Sequence, residues 1–321
     1  YYVVETIAPE GYVLNSARQD ITITDNNNTY TFSFTNKIIK GGLTITKVDG
    51  DTGSPLQGAE FKIYNSADKE LSTVTTDNKG KAVVNNLSYG DYYFKESKAP
   101  TGYFANSTKV NFRITTNGEM VTKTVENNKV KGRISVVKSA AEDPNTKLKG
   151  AVFGIYDKVT NTKVEEITTN ENGEATSSAL NYGTYYVKEL QAPVGYNINV
   201  NTFDVSVDSD KLYLLNITDK IIKGKLKVIK TDGQTVTKLA GAEFTIYQKD
   251  TDIEVGKIVT NNKGEATSSD LTYGNYYFKE TKAPEGYQLD GTIKEFNVDT
   301  DAKLYEYNIE NHKITGIIQI N

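Results

Sequence analysis

The chain has 321 residues, a formal net charge of −4, no cysteine and one histidine, His312. That length exceeds one ordinary core and calls for domains of about 100 to 150 residues. The slightly acidic balance offers no basic field for nucleic acid or an anionic membrane. The missing thiols exclude disulfides, thiol nucleophiles and thiolate metal sites, and no apolar run reaches the roughly 18 residues of a membrane span.

Thr, Tyr, Val, Ile and Asn are abundant, a composition of strands and tight turns, so the expected class is all-β. The chain opens inside a repeat and without an initiator methionine, so a fragment of a longer protein is expected. Residues 1–40 read as the closing part of a repeat. They begin "YYVVETIAPEGY", with Glu5, and carry an alternating row of Tyr30, Phe32 and Phe34 that ends on Asn36.

Three complete repeats follow, 41–131, 132–223 and 224–315, with a period of 91 to 92 residues. That is the size of a small domain rather than a solenoid unit. Each opens on a strand whose apolar face is closed by a lysine. The rows are Leu43, Ile45, Lys47, then Ile134, Val136, Lys138, and then Leu226, Val228, Lys230. Each continues through turns such as "TTDNKGKA", "TTNENGEA" and "VTNNKGEA" and a second reversal at "SYGDYY", "NYGTYY" or "TYGNYY". Asp77, Asn78 and Gly80 of the first turn faintly resemble a calcium loop but lack its later glutamate, so a plain turn is expected, with no metal and no cofactor.

A strand beginning "YYFKESKAPTGY", "YYVKELQAPVGY" or "YYFKETKAPEGY" then puts Glu96, Glu189 or Glu280 on the face of its aromatic neighbours. The closing strand ends an apolar row on Asn127, Asp219 or Asn311, with Asn128 the alternative partner in the first repeat. The final "GIIQIN", 316–321, reads as the first strand of a further, truncated repeat. Six or seven short strands per repeat predict tandem β-sandwiches, Ig-like, arranged as an elongated rod.

Each repeat thus directs a lysine, a glutamate and an Asn or Asp inward. An isolated interior ion costs several kcal/mol, which a domain stable by roughly 5 to 15 kcal/mol can hardly bear three times, so the three groups are expected to meet. The residues alone leave two forms of meeting open. One is a buried salt bridge with a hydrogen-bonded amide. The other is covalent: burial favours a neutral lysine amine and a protonated glutamate, the acid polarises the carboxamide, the amine attacks, and an isopeptide bond forms with loss of ammonia, or of water at Asp219.

The "YYFKESKAPTGY" and "YYFKETKAPEGY" stretches, with "KVDGDTGSPLQGAEFKIY" upstream and "NNKVKG" downstream, resemble the Cna B-type, or SpaA-like, prealbumin-fold domains of Gram-positive surface proteins. The resemblance implies an intramolecular isopeptide bond between Lys and Asn or Asp, promoted by Glu. The trios are Lys47, Glu96, Asn127; Lys138, Glu189, Asp219; and Lys230, Glu280, Asn311. The second repeat departs from the pattern in Leu190 and in using Asp219.

It further implies an extracellular, wall-anchored stalk of a surface adhesin, monomeric, with its wall attachment and tip-binding domain outside the sequence. A pilus shaft or minor pilin is the nearest alternative. Another is a module whose outward Tyr93, Tyr186 and Tyr277 bind a glycan or a host matrix protein. An enzyme acting on outside substrates is not expected, because one histidine and a single inward glutamate per repeat do not assemble a hydrolytic site; the chemistry acts once, on the chain itself.

Overall fold

The architecture comes from a computed structural model that describes residues 1–319. Strands, turns and irregular connections make it up, and no helix occurs among the described residues. In the first complete repeat, strand Lys40–Asp49 buries alternate side chains. It pairs antiparallel with Lys81–Ser88 on one side and parallel with the last strand, Met120–Asn127, on the other. A second, four-stranded sheet runs Val110–Ile114, Gly90–Lys98, Glu60–Asn65, Glu70–Thr75 in spatial order.

Leu43 and Ile45 from the three-stranded sheet meet Phe61, Ile63, Phe94 and Phe112 from the other, so the repeat is a sandwich around one apolar core. Each such fully buried side chain contributes about 1.5 to 3 kcal/mol. The third repeat rebuilds this core with Leu226, Val228, Phe244, Ile246, Phe278 and Phe296.

The repeats differ in the strand after the "NKG" or "NENG" turn. The first has an unbroken Lys81–Ser88, but the others have two short pieces, Glu174–Thr176 with Leu180–Asn181 and Glu265–Thr267 with Leu271–Thr272. Where the first repeat has Val84, these have serines whose hydroxyls enter the ladder. Ser177 Oγ accepts from Ile134 N and Ser268 Oγ from Leu226 N, each at 3.0 Å. A side chain that occupies the neighbour's N–H interrupts the strand.

The turn glycine of that segment fixes the lysine-bearing strand. Gly80, Gly173 and Gly264 sit at φ near +70°, where only glycine is unstrained, and their carbonyls accept the N–H of Lys47, Lys138 and Lys230 at 2.7 Å. A Cβ at Gly173 would lie 2.3 Å from the Lys138 carbonyl oxygen.

The chain forms two compact units. One comprises Tyr1–Gly132 with Ala179–Gly183 and Val207–Lys211; the other comprises Arg133–Ser178, Thr184–Ser206 and Leu212–Asn321. Residues 1–40 hold four two-residue strands, paired Tyr2–Val3 with Gln19–Asp20 and Tyr12–Val13 with Lys37–Ile38. Of the last segment, 316–319 carry no strand pairing, and 320 and 321 lie outside the described residues.

Candidate functional site

The parallel pairing of first and last strands brings the distant residues together. Asn127 stands opposite Asp49, Asp219 opposite Ala140 and Asn311 opposite Asp232, each two residues beyond the lysine. Side chains two apart share a face, so the lysine and the Asn or Asp point into the same interior. From the other sheet Glu96, Glu189 and Glu280 face Phe61, Phe153 and Phe244 across their strand pairs. The lysine amines lie 5.4 to 5.9 Å above those same rings. The carboxylate shares a face with aromatic rings because the ring floors a polar pocket in which it meets the lysine.

In the first repeat Lys47 Nζ contacts Asn127 Oδ1 and lies 3.4 Å from Glu96 Oε1, and Asn127 Nδ2 donates to that oxygen at 2.9 Å. Asn127 is buried and Asn128 exposed. In the second, Lys138 Nζ lies 3.0 Å from Glu189 Oε1 and against Asp219 Oδ1. In the third, Lys230 Nζ lies 3.1 Å from Glu280 Oε1 and donates to the Glu310 carbonyl at 3.3 Å. There Asn311 Nδ2 donates to Glu280 Oε2 at 2.9 Å and to the Gln288 carbonyl, leaving the buried Asn311 Oδ1 without a hydrogen-bond partner. All three lysines have no exposure to solvent.

Burial drives Lys47 and Lys230 below the ordinary lysine range, opposed in part by Glu96 and Glu280. Burial likewise pushes Glu189 above the carboxylate range, against the Asn199 N–H and Lys138. The direction in each case is the one that nucleophilic attack by a neutral amine under acid assistance requires.

A further residue of each site was invisible in the strand pattern. The second glutamate oxygen accepts a backbone N–H ten residues on: Asn106 at 2.5 Å, Asn199 at 2.7 Å and Asp290 at 2.9 Å. These donors lie in irregular loops, without periodicity to betray them. The partial repeat has the same arrangement. Asn15 N donates to Glu5 Oε2 at 2.7 Å and Asn36 Nδ2 to Glu5 at 2.9 and 3.0 Å, so a Glu–Asn pair forms there with no lysine beside it among the described contacts.

The outward tyrosines are engaged with one another. Tyr64 stacks on Tyr93, Tyr156 on Tyr186 and Tyr247 on Tyr277, each with centroids 4.9 Å apart. Their hydroxyls donate to Asp68, Asn161 and Asp252. Tyr93 is only 7% exposed, so it is less available than a free outward aromatic. Asp77 closes its own turn by accepting from Lys79 N and Lys81 N, and His312 is exposed.

The model of the SpaA prealbumin-like fold domain matches residues 1–38, 41–129, 132–221 and 224–313. The trypsin-resistant surface T6 protein of Streptococcus pyogenes serotype M6 is 31% identical over 151 residues, covering 46% of this chain and 27% of that protein. The collagen adhesin of Staphylococcus aureus is 26% identical over 328 aligned residues, covering 88% of this chain and 27% of the adhesin. The chain therefore spans about a quarter of the length of these two relatives. Among solved structures, the Bacillus anthracis TIE protein superimposes with a TM-score of 0.78 at 35% identity, covering 87% of this chain and 52% of that one.

Proposed function

Because the chain belongs to the SpaA family of prealbumin-like fold domains, we propose that it is the stalk of a Gram-positive cell-surface adhesin, each complete repeat locked by an isopeptide bond that it forms on itself. The units of the stalk are 41–131, 132–223 and 224–315, with 1–40 and 316–321 belonging to neighbouring repeats. One observation carries the reading: in all three, a fully buried lysine, glutamate and Asn or Asp join the first strand to the last.

The contacts support the following chemistry. Lys47 as neutral amine attacks Cγ of Asn127 and a C–N bond forms. Glu96, hydrogen-bonded to the amide, lends a proton to the developing oxyanion and passes the amine proton to the leaving nitrogen, which departs as ammonia. Lys230 and Asn311 react alike, and Lys138 with Asp219 releases water. Each glutamate ends with the proton inventory it began with and so acts as a catalyst, but the site works once.

The mechanical consequence lies in the spacing. The joined residues are 80 or 81 apart in sequence, whereas Asn127 and Lys138, and Asp219 and Lys230, are only 11 positions apart. At roughly 3.4 Å per extended residue an unlinked repeat releases about 270 Å under load, whereas a linked one leaves about 37 Å free per junction. Tension entering one strand leaves through the other across a covalent bond.

The surface setting is supported by relatives that are a surface protein and an adhesin. The stacked tyrosines, already occupied by one another, favour a stalk over a ligand-binding module. Single-molecule stretching of the chain tests this. Linked repeats give no unfolding step near 270 Å, and regular steps of that length would overturn the reading.

A further inference from the structure

Two of the three repeats contain a second polar trio, displaced along the strands from the first. Asp49 lies two residues after Lys47, Lys129 two after Asn127, and Tyr103 seven after Glu96; Asp232, Lys313 and Tyr287 hold the same offsets in the third repeat. Asp49 is 3% exposed and Asp232 2%. Asp49 Oδ1 accepts from Asp51 N at 2.8 Å and Thr52 N at 3.0 Å, and Oδ2 accepts from the Tyr103 hydroxyl at 2.6 Å and meets Lys129 Nζ at 2.9 Å. Asp232 repeats this with Gln234 N, Thr235 N and the Tyr287 hydroxyl at 2.8 Å, and with Lys313 Nζ at 3.6 Å. The carboxylate thus ties the end of the first strand to the glutamate's loop and to the segment leaving the last strand.

The second repeat keeps Tyr196 but has Ala140 and Ile221 at the other two positions. It holds the leaving segment differently, Ile221 N donating to Glu142 at 3.2 Å. It is also the repeat whose reacting partner is Asp219, and an Asp is drawn to a lysine by its own charge. A neutral asparagine has no such pull and must be placed by its surroundings.

We propose that Asp49–Tyr103–Lys129 and Asp232–Tyr287–Lys313 are latches that hold Asn127 and Asn311 beside their lysine–glutamate pairs, and that the second repeat dispenses with a latch because Asp219 places itself. This rests on the crosslinking reading above. Lys129, Lys313 and their partners are then positioning residues, not catalytic ones. The latch closes when the strand ends meet, so it acts before the bond exists and stays in place afterwards.

The test follows bond closure in the full chain during cell-free synthesis. Samples are quenched in denaturant over time, and the crosslinked peptide pair of each repeat is quantified by mass, under conditions where circular dichroism shows the variants fully folded. Lys129→Met slows closure in the first repeat about tenfold or more, Lys129→Arg restores it, and the other two repeats keep their rates as internal controls. Asp219→Asn, which leaves the second repeat with neither charge nor latch, is slow, and adding Ala140→Asp with Ile221→Lys to it recovers at least about tenfold. Unchanged rates in Lys129→Met, or no recovery in the triple variant, overturn the latch while leaving crosslinking intact. Absence of crosslinked peptides from the unaltered chain overturns both.

Discussion

The first and third repeats set a lysine and a glutamate against an amide, whereas the second sets the same pair against a carboxylate. One interior therefore holds one acid per base and the other holds two. Both remain tolerable because burial adjusts protonation. Lys47 and Lys230 are driven towards the neutral amine, and in the second repeat Glu189 retains its proton above the usual range, with burial the first cause and Asp219 a lesser one. The comparison teaches that the repeat conserves a near-neutral polar cluster joining two strands, and that different residue sets satisfy it.

The largest effect that would break the comparison comes from removing the glutamate. Glu280→Gln leaves Lys230 buried without an acid, a cost of about 3 to 5 kcal/mol. On the proposed crosslink it also forfeits the closure of a loop of about 80 residues, worth about 4 to 5 kcal/mol. Glu189→Gln costs less, because Lys138 keeps Asp219. Calorimetry of the two variants is expected to show the third repeat losing roughly 15 °C or more relative to its unaltered state and the second losing less; equal losses would remove the distinction.

Next comes a change that should strike all repeats alike. Alanine at Gly80, Gly173 or Gly264 forces a strained φ and drives a Cβ to 2.3 to 2.5 Å from the lysine carbonyl. A loss of about 2 to 4 kcal/mol is expected at each, read from urea midpoints. A repeat that tolerated it would have to place its lysine by other means.

The pH dependence separates the repeats by sign. With the bond blocked by Asn127→Ala, the depressed pKa of Lys47 means that its contribution is fully present above the ordinary value of 10.5 and is lost as pH falls through the depressed value. With the second bond blocked by Asp219→Ala, the raised pKa of Glu189 means that its contribution is fully present below the ordinary 4.5 and is lost as pH rises through the raised value. Urea unfolding across pH should therefore give stability rising with pH in the alkaline limb for the first variant and falling from acid towards neutral for the second.

The smallest effect lies on the outer face. Tyr247→Ala removes one member of the stack with Tyr277, for about 0.5 to 1.5 kcal/mol beyond its lost area. No change in covalent mass is expected, and thermal unfolding with mass spectrometry reads both quantities.

Much of this was legible in the sequence. Alternation with a period of two placed Lys47, Glu96 and Asn127 on apolar faces, and recurrence at a fixed period made the strand assignment self-consistent. The fold followed from turn residues and from strands too short to be anything else. What stayed hidden depends on pairing between distant segments. Tyr93 reads as outward from its own strand, but only its register opposite Tyr64 shows that it is covered. The N–H of Asn106 on Glu96 and the tie from Asp49 to Tyr103 lie in turns and loops, where no periodic signal tells which groups converge. Spacing already favoured Asn127 over Asn128, since it stands 11 positions before Lys138 as Asp219 does before Lys230, and Asn127 is the one that is buried, opposite Asp49.

The central claim is that the three clusters become covalent bonds, and the intact mass of the folded, purified chain tests it most directly. The account predicts a mass below that of the sequence by two ammonias and one water, roughly 52 Da. A mass equal to that of the sequence would contradict it and leave three buried ion-pair clusters.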